Sequence, residues 1–155
     1  MRSTLALIAL LAASSAGAAD CSPGATQLQL ISGGQQQTAA LVLPASMAPD
    51  QRVPLVIGLH PSGGSGKSFD DDTGLVAAAT KKGFAVLLPD GGIRTDDGKG
   101  YFWNIPGVPL VSGAEVPRGT RDDLRFLAAA IDEAVKDHCI DRQRIYVTGF
   151  SGGAR

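Results

Sequence analysis

The order of polar and apolar residues near the start of the chain predicts an antiparallel pair of strands. Residues 26–31 (TQLQLI) alternate polar and apolar side chains, and residues 38–43 (TAALVL) follow the same pattern less strictly. Alternation with a period of two is typical of strands that have one buried face. Gly33 and Gly34 lie between the two stretches and suit a tight turn. We therefore expect a β-hairpin here.

Three continuous apolar runs predict strands that are buried on both faces. They cover residues 54–59 (PLVIGL), 84–88 (FAVLL) and 144–148 (RIYVT). Such runs are typical of parallel strands that are covered by helices. Helical patterns lie between the runs, so right-handed crossovers between parallel strands are expected. The predicted fold class is α/β, with a mostly parallel sheet covered by helices.

Two helices are predicted between these strands. The first covers residues 68–82 and stops at Gly83, a residue type that favours the position after a helix. The second begins near Thr120, because Thr120 and Asp123 resemble a capping box, and it ends near His138, which would suit the helix dipole as a cation. Its apolar residues at helical spacing are expected to face the core: Leu124, Leu127, Ala128, Ile131 and Val135.

Composition narrows the class of protein. The chain has 155 residues, of which 44% are hydrophobic and 19% are charged, and its formal net charge is −1. The apolar content excludes a disordered chain. The charge balance gives no basic surplus that would bind nucleic acid or an anionic membrane. A globular domain with many turns and neither of these partners is expected.

Residues 1–19 have the pattern of a signal peptide. Arg2 provides a cationic start, an apolar run covers residues 5–13, and small residues precede a cleavage site after Ala18 or Ala19. The apolar run is far shorter than the roughly 20 residues that a membrane-spanning helix needs. A buried N-terminal helix is the alternative. We expect an exported protein, secreted or periplasmic, without a membrane anchor, in which residues 20–155 belong to one domain.

Cys21 and Cys139 are the two cysteines of the sequence. In an exported protein two thiols more often pair than stay free. Two unlinked and buried cysteines are the alternative, because free cysteine is commonly buried. The histidines and carboxylates show no spacing that suits metal ligands, so no metal site is predicted.

Residues 149–153 (GFSGG) carry the strongest signal for chemistry. They form a G-x-S-x-G motif directly after a predicted strand. A strand that turns abruptly into a helix holds the central residue at strained backbone angles, and the flanking glycines avoid clashes. The Ser151 hydroxyl would then stand exposed at the carboxyl end of the sheet. Backbone N–H groups at the start of the next helix would face developing negative charge.

A second feature follows the predicted strand over residues 54–59. Residues 59–64 (LHPSGG) form a loop of the kind that supplies the other oxyanion donor in such folds. Pro61 has no N–H, so the donor is expected at the backbone of Ser62. His60 is expected to anchor the loop to the backbone, because its place before the serine is wrong for a general base.

Five segments together resemble a known family. They are similar to the secreted esterases grouped with polyhydroxybutyrate depolymerases and feruloyl esterases, which have the α/β-hydrolase fold, and the likeness covers about residues 25–155. The segments are LHPSGGSG (59–66), KKGFAVLLPDG (81–91), FWN (102–104), RDDLRFL (121–127) and CIDRQRIYVTGFSGGAR (139–155).

The resemblance implies a nucleophile at Ser151 and an oxyanion hole made by the backbone N–H groups of Gly152 and of the loop near Ser62. It also implies that Cys21 and Cys139 form a disulfide. The implied substrates are esters, either polyester, feruloylated polysaccharide or small esters, and no cofactor is implied.

The long Gly- and Pro-rich stretch over residues 91–119 is either functional or contains an element that the pattern hides. Its Trp103 is expected on the substrate side, where an aromatic ring can pack against an acyl chain. A loop-anchoring role for this residue is the alternative. The chain departs from the family at His60-Pro61, where members commonly carry His-Gly. The resemblance therefore does not determine the conformation of that loop.

The catalytic machinery is incomplete in this sequence. Both histidines precede Ser151, and only four residues follow it, whereas in α/β-hydrolases the acid and the histidine follow the serine. We therefore interpret the chain as the N-terminal half of an esterase, inactive by itself, with an open sheet edge at residues 144–148. Three acidic residues that precede the serine are expected to act in caps and turns: Asp90, Asp122 and Asp123.

Two other functions compete with this interpretation. Residues 66–68 (GKS) follow a Gly-rich turn as in a P-loop, but the Walker pattern requires glycine where Pro61 stands. Nucleotide binding is therefore disfavoured. A non-catalytic binding module on a hydrolase scaffold stays open, because a fold does not establish a function.

Overall fold

The computed structural model describes residues 19–48, 51–110 and 112–155, so that the predicted signal peptide, except its last residue, lies outside the described residues. Within these ranges the strands are β1 (Gly24–Ser32), β2 (Gln35–Leu43), β3 (Val53–Leu59), β4 (Ala85–Leu88), β5 (Ile93–Arg94), β6 (Tyr101–Phe102) and β7 (Ile140–Gly149). The helices are α1 (Gly66–Thr73), α2 (Leu75–Thr80) and α3 (Asp123–Asp137), and a 3₁₀ turn covers Ser151–Ala154. None of the described helices is long and apolar enough to cross a membrane.

Five of the strands form one sheet in the order β1–β2–β4–β3–β7. The predicted hairpin is confirmed: β1 and β2 are antiparallel, and Gly33 and Gly34 turn between them with φ of 60° and 77°. The β3–β4 and β3–β7 pairs are parallel. The β2–β4 pair is antiparallel, which periodicity could not indicate, because it shows which face of a strand is buried but not its partner.

Side chains that alternate along β4 divide the core between the two faces of the sheet. Ala85 and Leu87 belong to the larger core, which Phe126 of α3 completes. Val86 and Leu88 belong to a smaller core on the other face, where they pack with Phe69 of α1. The helices therefore cover both faces, as the continuous apolar runs predicted.

The single helix predicted over residues 68–82 is wrong, because the chain forms α1 and α2 instead. Gly74 ends α1 with φ of 63°, and its N–H donates to the Asp70 carbonyl at 2.7 Å. The Asp70 carboxylate accepts from the Val76 N–H at 2.7 Å, which satisfies the start of α2. Gly83 has φ of 78° but lies three residues after the end of α2.

The capping box predicted at Thr120 is also wrong. Asp122 caps α3, since its carboxylate accepts from the N–H groups of Leu124 at 2.9 Å and Arg125 at 3.2 Å. The Thr120 hydroxyl donates instead to the Pro117 carbonyl at 2.7 Å. Asp122 has the extended backbone that an N-cap residue requires, and α3 begins at the next residue.

The buried face of α3 differs from the predicted one. Phe126, Ala130 and Ala134 are fully buried, whereas Leu124 is 54% exposed. Ala128 is exposed as well, and three other members of the predicted stripe are partly buried: Leu127, Ile131 and Val135. Two alanines let the helix lie close to the sheet, a preference that a count of large apolar residues does not reveal.

A disulfide joins Cys21 to Cys139, with a Cα–Cα distance of 5.5 Å. It ties the segment before β1 to the turn between α3 and β7. The Asp20 N–H donates to the Asp137 carbonyl at 2.6 Å beside it, and His138 is the C-cap residue of α3. The expected pairing of the cysteines is confirmed.

The strand β7 lies at one edge of the sheet and, within the described ranges, pairs with β3 alone. Three large apolar residues near its end are exposed: Tyr146 at 51%, Val147 at 62% and Phe150 at 68%. The open edge expected at residues 144–148 is therefore present in the described part of the chain.

Truncation of Phe126 tests the buried face of α3. The variant Phe126→Ala is expected to lower the free energy of unfolding by about 3–5 kcal/mol, because a fully buried ring leaves a cavity. Leu124→Ala is the control in the same helix and should cost about 1 kcal/mol or less. Urea unfolding of both variants measures these costs. Equal losses would contradict the assignment of the buried face.

Candidate active site

The strands β3 and β7 end side by side and bring two loops together. Leu59 pairs with Gly149 at the end of both strands, and the Phe150 N–H donates to the Leu59 carbonyl at 3.3 Å. Because the strands are parallel, the loop after β3 and the G-x-S-x-G turn after β7 lie at the same edge of the sheet. Ser62 and Ser151 are therefore placed at one site.

Ser151 has φ of 52°, in the left-handed region that residues with a side chain rarely adopt. It follows β7 directly and begins the 3₁₀ turn, and its side chain is exposed. This backbone conformation is the strain expected of a serine at a sharp strand-to-helix turn. The hydroxyl is thus held clear of the sheet and open to an incoming molecule.

Two glycines of the motif are required by close backbone contacts. A Cβ on Gly149 would collide with the Gly153 carbonyl, and a Cβ on Gly153 would collide with the Leu59 carbonyl. The turn can therefore close only if both positions lack a side chain. This explains in physical terms why the motif places glycine two residues before and two residues after the serine.

Gly152 lies against the backbone of Ser62. A Cβ on Gly152 would meet the Ser62 hydroxyl and would come within 2.9 Å of the Ser62 nitrogen. Within the described part of the chain, no backbone carbonyl accepts a hydrogen bond from the N–H of Ser62 or from the N–H of Gly152. Two neighbouring N–H donors without a backbone partner can bind an oxyanion beside the Ser151 hydroxyl.

Backbone hydrogen bonds to Tyr101 of β6 hold the Ser62 loop. The Gly63 N–H donates to the Tyr101 carbonyl at 2.8 Å, and the Tyr101 N–H donates to the Gly64 carbonyl at 2.7 Å. The Gly64 N–H closes the turn onto the Pro61 carbonyl at 2.9 Å. The hairpin of β5 and β6 within residues 91–119 is thus an element that the sequence pattern did not reveal, and it braces this loop.

His60 anchors the same loop, as the sequence predicts. Its side chain is fully buried, and Nε2 accepts a hydrogen bond from the Gly91 N–H at 3.0 Å. Because Nε2 accepts, the proton lies on Nδ1, which donates to the Pro61 carbonyl at 2.8 Å. Burial lowers the pKa of His60, although the Pro61 carbonyl and the charges of Asp90 and Asp123 act in the opposite direction. Both ring nitrogens are occupied, so His60 is not available as a base.

Trp103 has an anchoring contact and also borders the site. Its Nε1 donates to the His60 carbonyl at 2.9 Å, and its ring stacks on the His60 ring at a centroid distance of 4.5 Å. Only 8% of the side chain is exposed. The residue still lines a small cavity of about 20 Å³ together with Ser62, Phe102 and Gly152.

The segment that resembles a P-loop has its N–H groups engaged within the protein. The Ser65 N–H donates to the Ser68 hydroxyl at 2.9 Å, and the Gly66 N–H donates to the Asp90 carboxylate at 2.7 Å. Lys67 forms an ion pair with Asp71 at 2.6 Å. Ser65 is the N-cap residue of α1, and Asp90 lies in the turn after β4 and satisfies one more N–H at the start of the helix. The segment thus starts an ordinary helix.

Asp123 is a buried residue of this region whose role the sequence reasoning missed. The sequence predicts a place in a cap or turn, but the side chain is 1% exposed and forms an ion pair with Arg121 at 2.7 Å. Asp123 lies three residues before Phe126 and seven before Ala130, which puts it on the buried face of α3. That spacing is the available signal for its burial.

Neither histidine of the described residues is placed to activate Ser151. Both ring nitrogens of His60 are hydrogen-bonded. His138 lies at the end of α3, two residues before β7 begins, whereas Ser151 follows the other end of β7. Among the described residues there is also no group of three or more His, Cys, Asp or Glu side chains that could hold a metal ion. Within those residues the site thus contains an exposed serine and two N–H donors, without a general base.

Two solved structures of hydrolases share this architecture. The chain superimposes on the S-formylglutathione hydrolase of Agrobacterium tumefaciens with a TM-score of 0.61 and 17% identity, which covers 83% of this chain and 48% of that chain. For the acetyl xylan esterase of Aspergillus awamori the TM-score is 0.60 at 18% identity, with shares of 83% and 44%. The α/β-hydrolase fold expected from the sequence is thereby confirmed.

Two fungal enzymes are similar in sequence. Feruloyl esterase B of Piromyces equi is 31% identical over 110 residues, which are 71% of this chain and 18% of that protein. The acetylxylan esterase of Coprinopsis cinerea is 31% identical over 101 residues, which are 64% of this chain and 25% of that protein. The chain thus spans a quarter or less of the length of these two relatives.

The family model described as esterase PHB depolymerase matches residues 37–155, which include both loops of the site. The resemblance noted in the sequence is therefore confirmed, and the chain belongs to this esterase family.

Proposed function

We propose that the protein is an exported serine esterase in which Ser151 forms an acyl-enzyme. The observation that carries this proposal is the left-handed backbone of Ser151, with φ of 52°. The residue lies beside the N–H groups of Ser62 and Gly152. The Ser151 oxygen would attack the ester carbonyl, and the two N–H groups would stabilise the oxyanion. The C–O bond to the alcohol would then break, and the alcohol would leave with the proton that the general base took from Ser151. Water would hydrolyse the acyl-enzyme to release the acid and restore the hydroxyl.

The general base and its carboxylate partner are expected in residues that follow position 155 in the full-length enzyme. A serine hydroxyl needs a base to take its proton, normally a histidine that a carboxylate orients. Both histidines of this chain are excluded by position or by hydrogen bonding. The relatives are several times longer than the matched region. We therefore expect the 155-residue chain to be inactive by itself and the full-length enzyme to be active.

The substrates proposed are carboxylic esters of the kinds that the family and the relatives' names indicate: polyesters, feruloylated or acetylated polysaccharides, and small esters. The cavity beside Ser62 has apolar walls from Phe102, Trp103 and Leu110. At about 20 Å³ the cavity holds little more than a water molecule, so we expect residues that follow position 155 to complete a pocket for the acyl group. Export is proposed from the signal-peptide pattern over residues 1–19.

A non-catalytic binding module is the second candidate. The described residues hold no base beside Ser151, which favours it for the chain alone. Residues beyond position 155 that provide a histidine and a carboxylate would favour the esterase.

Removal of the nucleophile tests the proposed function. In the full-length enzyme, Ser151→Ala is expected to lower kcat by about 10³-fold or more, because triad members act as a unit. Hydrolysis of short-chain aryl esters measures the loss. Ser46→Ala, which changes an exposed serine after β2, is the control and should retain parental activity. Activity of Ser151→Ala near the parental value would remove Ser151 from the role of nucleophile.

A methyl group at Gly152 tests the oxyanion hole. Gly152→Ala brings Cβ against the Ser62 backbone, so the two donors must move apart. We expect kcat to fall by about 100-fold, as for the loss of one oxyanion donor. Gly98→Ala is the control, because its Cβ meets nothing closer than an Arg94 nitrogen at 3.7 Å, although φ of 69° strains it. It should lower stability but not kcat, and equal kcat values for Gly152→Ala and the parent would contradict the assigned donors.

The buried His60 predicts that stability depends on pH. Its pKa is lowered from the ordinary value of 6.5, so the unfolded chain binds the proton more tightly than the folded one. The stabilisation is complete above pH 6.5 and is lost as pH falls below it, with a slope of at most about 1.4 kcal/mol per pH unit. Urea unfolding between pH 5 and 8 measures this slope. It should shrink in His60→Gln and persist in His138→Gln, and an unchanged slope in His60→Gln would contradict the assignment.

A further inference from the structure

The carboxylate of Asp123 forms hydrogen bonds with two loops, one before and one after the β5–β6 hairpin. Its Oδ2 accepts from the Gly92 N–H at 2.8 Å and from the Asn104 N–H at 2.7 Å. Its Oδ1 accepts from the Arg121 Nε at 2.7 Å. The Asp123 N–H also donates to the Asn104 carbonyl at 3.0 Å. One buried carboxylate thus fixes the spacing between residues 92 and 104.

The residues just before these two partners are the ones that hold His60. Gly91 precedes Gly92, and its N–H donates to the His60 Nε2 at 3.0 Å. Trp103 precedes Asn104, and its Nε1 donates to the His60 carbonyl at 2.9 Å. Asp123 and His60 are therefore linked by two parallel connections. One runs through the peptide unit between Gly91 and Gly92, and the other runs through the Trp103 side chain and the peptide unit between Trp103 and Asn104. Ser62 lies two residues after His60.

Arg121 aligns the carboxylate of Asp123 from the other side. Its Nη1 donates to the Gln37 side chain of β2, and its Nη2 donates to the Asp90 carbonyl. The guanidinium lies 3.7 Å over the ring of Phe126. All three nitrogens of the guanidinium are therefore used, and its side chain is only 10% exposed. This arrangement connects β2, the loop after β4 and the start of α3.

Close packing leaves this network little freedom to adjust. A Cβ on Gly92 would lie 3.0 Å from both the Arg121 Cγ and the Asp123 Oδ1. A Cβ on Gly91 would collide with the Phe102 carbonyl. A shift of the carboxylate must therefore move the backbone of residues 91 and 92, and with it the donor to His60.

We propose that Asp123, aligned by Arg121, is a positioning residue that holds the Ser62 N–H in place for the oxyanion through Gly91, Trp103 and His60. This inference rests on the proposed function, because Ser62 matters only if Ser151 is the nucleophile. A purely structural role predicts a loss of stability alone. A positioning role predicts a lower kcat for each correctly folded, reactive serine.

The test compares two neighbouring substitutions in the full-length enzyme. Asp123→Asn keeps the shape but leaves one acceptor oxygen for three donors, so kcat per reactive serine should fall about 10- to 100-fold with a small change in KM. Asp122→Asn is the matched control: asparagine caps a helix as well as aspartate does, so kcat should stay at the parental value. Titration with a fluorophosphonate counts the reactive serines, and aryl-ester hydrolysis gives kcat and KM.

A readout other than activity follows the connection itself. In hydrogen exchange followed by mass spectrometry, Asp123→Asn should raise deuterium uptake in residues 90–104 and also in residues 59–64. Asp122→Asn should raise it in neither segment. Uptake that rises in residues 90–104 alone, with unchanged kcat, would overturn the proposal.

Arg121→Lys provides a second variant if Asp123→Asn does not fold. Lysine keeps the charge beside Asp123 but cannot also reach the Gln37 side chain and the Asp90 carbonyl, because it lacks the planar fork. A smaller fall in kcat in the same direction is expected, and parental kcat would overturn the proposal. Failure of the proposed function is recognised separately, since Ser151→Ala would then remain active.

Discussion

The burial of the Asp123 carboxylate is the constraint on which the loops at the carboxyl end of the sheet depend. A carboxylate without water is tolerated only when it is paired and hydrogen-bonded. Asp123 meets this requirement with the Gly92 and Asn104 N–H groups and the Arg121 guanidinium. The loops after β4 and β6 must therefore come to α3, and the residues next to these donors reach His60.

The sheet and the hydrogen bonds around Asp123 and His60 determine different features of the site. The parallel pairing of β3 with β7 puts the Ser62 loop beside the turn at Ser151. This pairing sets the approximate distance between the two loops. Orientation requires more, because an oxyanion hole needs its donors aimed at one point. In our proposal the contacts of His60, of Trp103 and of the Tyr101 backbone supply that orientation, and the glycines of the turn permit the close approach of the two loops.

The sequence predicts those features of the site that depend on neighbouring residues alone. The strand that runs into G-x-S-x-G locates Ser151, and the proline before Ser62 identifies the residue that carries the next N–H. The prediction for the face of α3 is wrong at Leu124, because the sheet selects Phe126 and two alanines that allow close packing. The burial of Asp123 is signalled only by its spacing from Phe126 and Ala130, the same face of α3 that the prediction missed. Its two backbone partners lie 19 and 31 residues away, and no local pattern shows them.

The most direct measurement is the crystal structure of the full-length enzyme after reaction with an alkyl fluorophosphonate. The account predicts phosphorus bonded to the Ser151 oxygen, with a phosphoryl oxygen about 2.7–3.1 Å from the Ser62 and Gly152 nitrogens. Phosphorus on another residue, or a phosphoryl oxygen that faces away from both N–H groups, would contradict it.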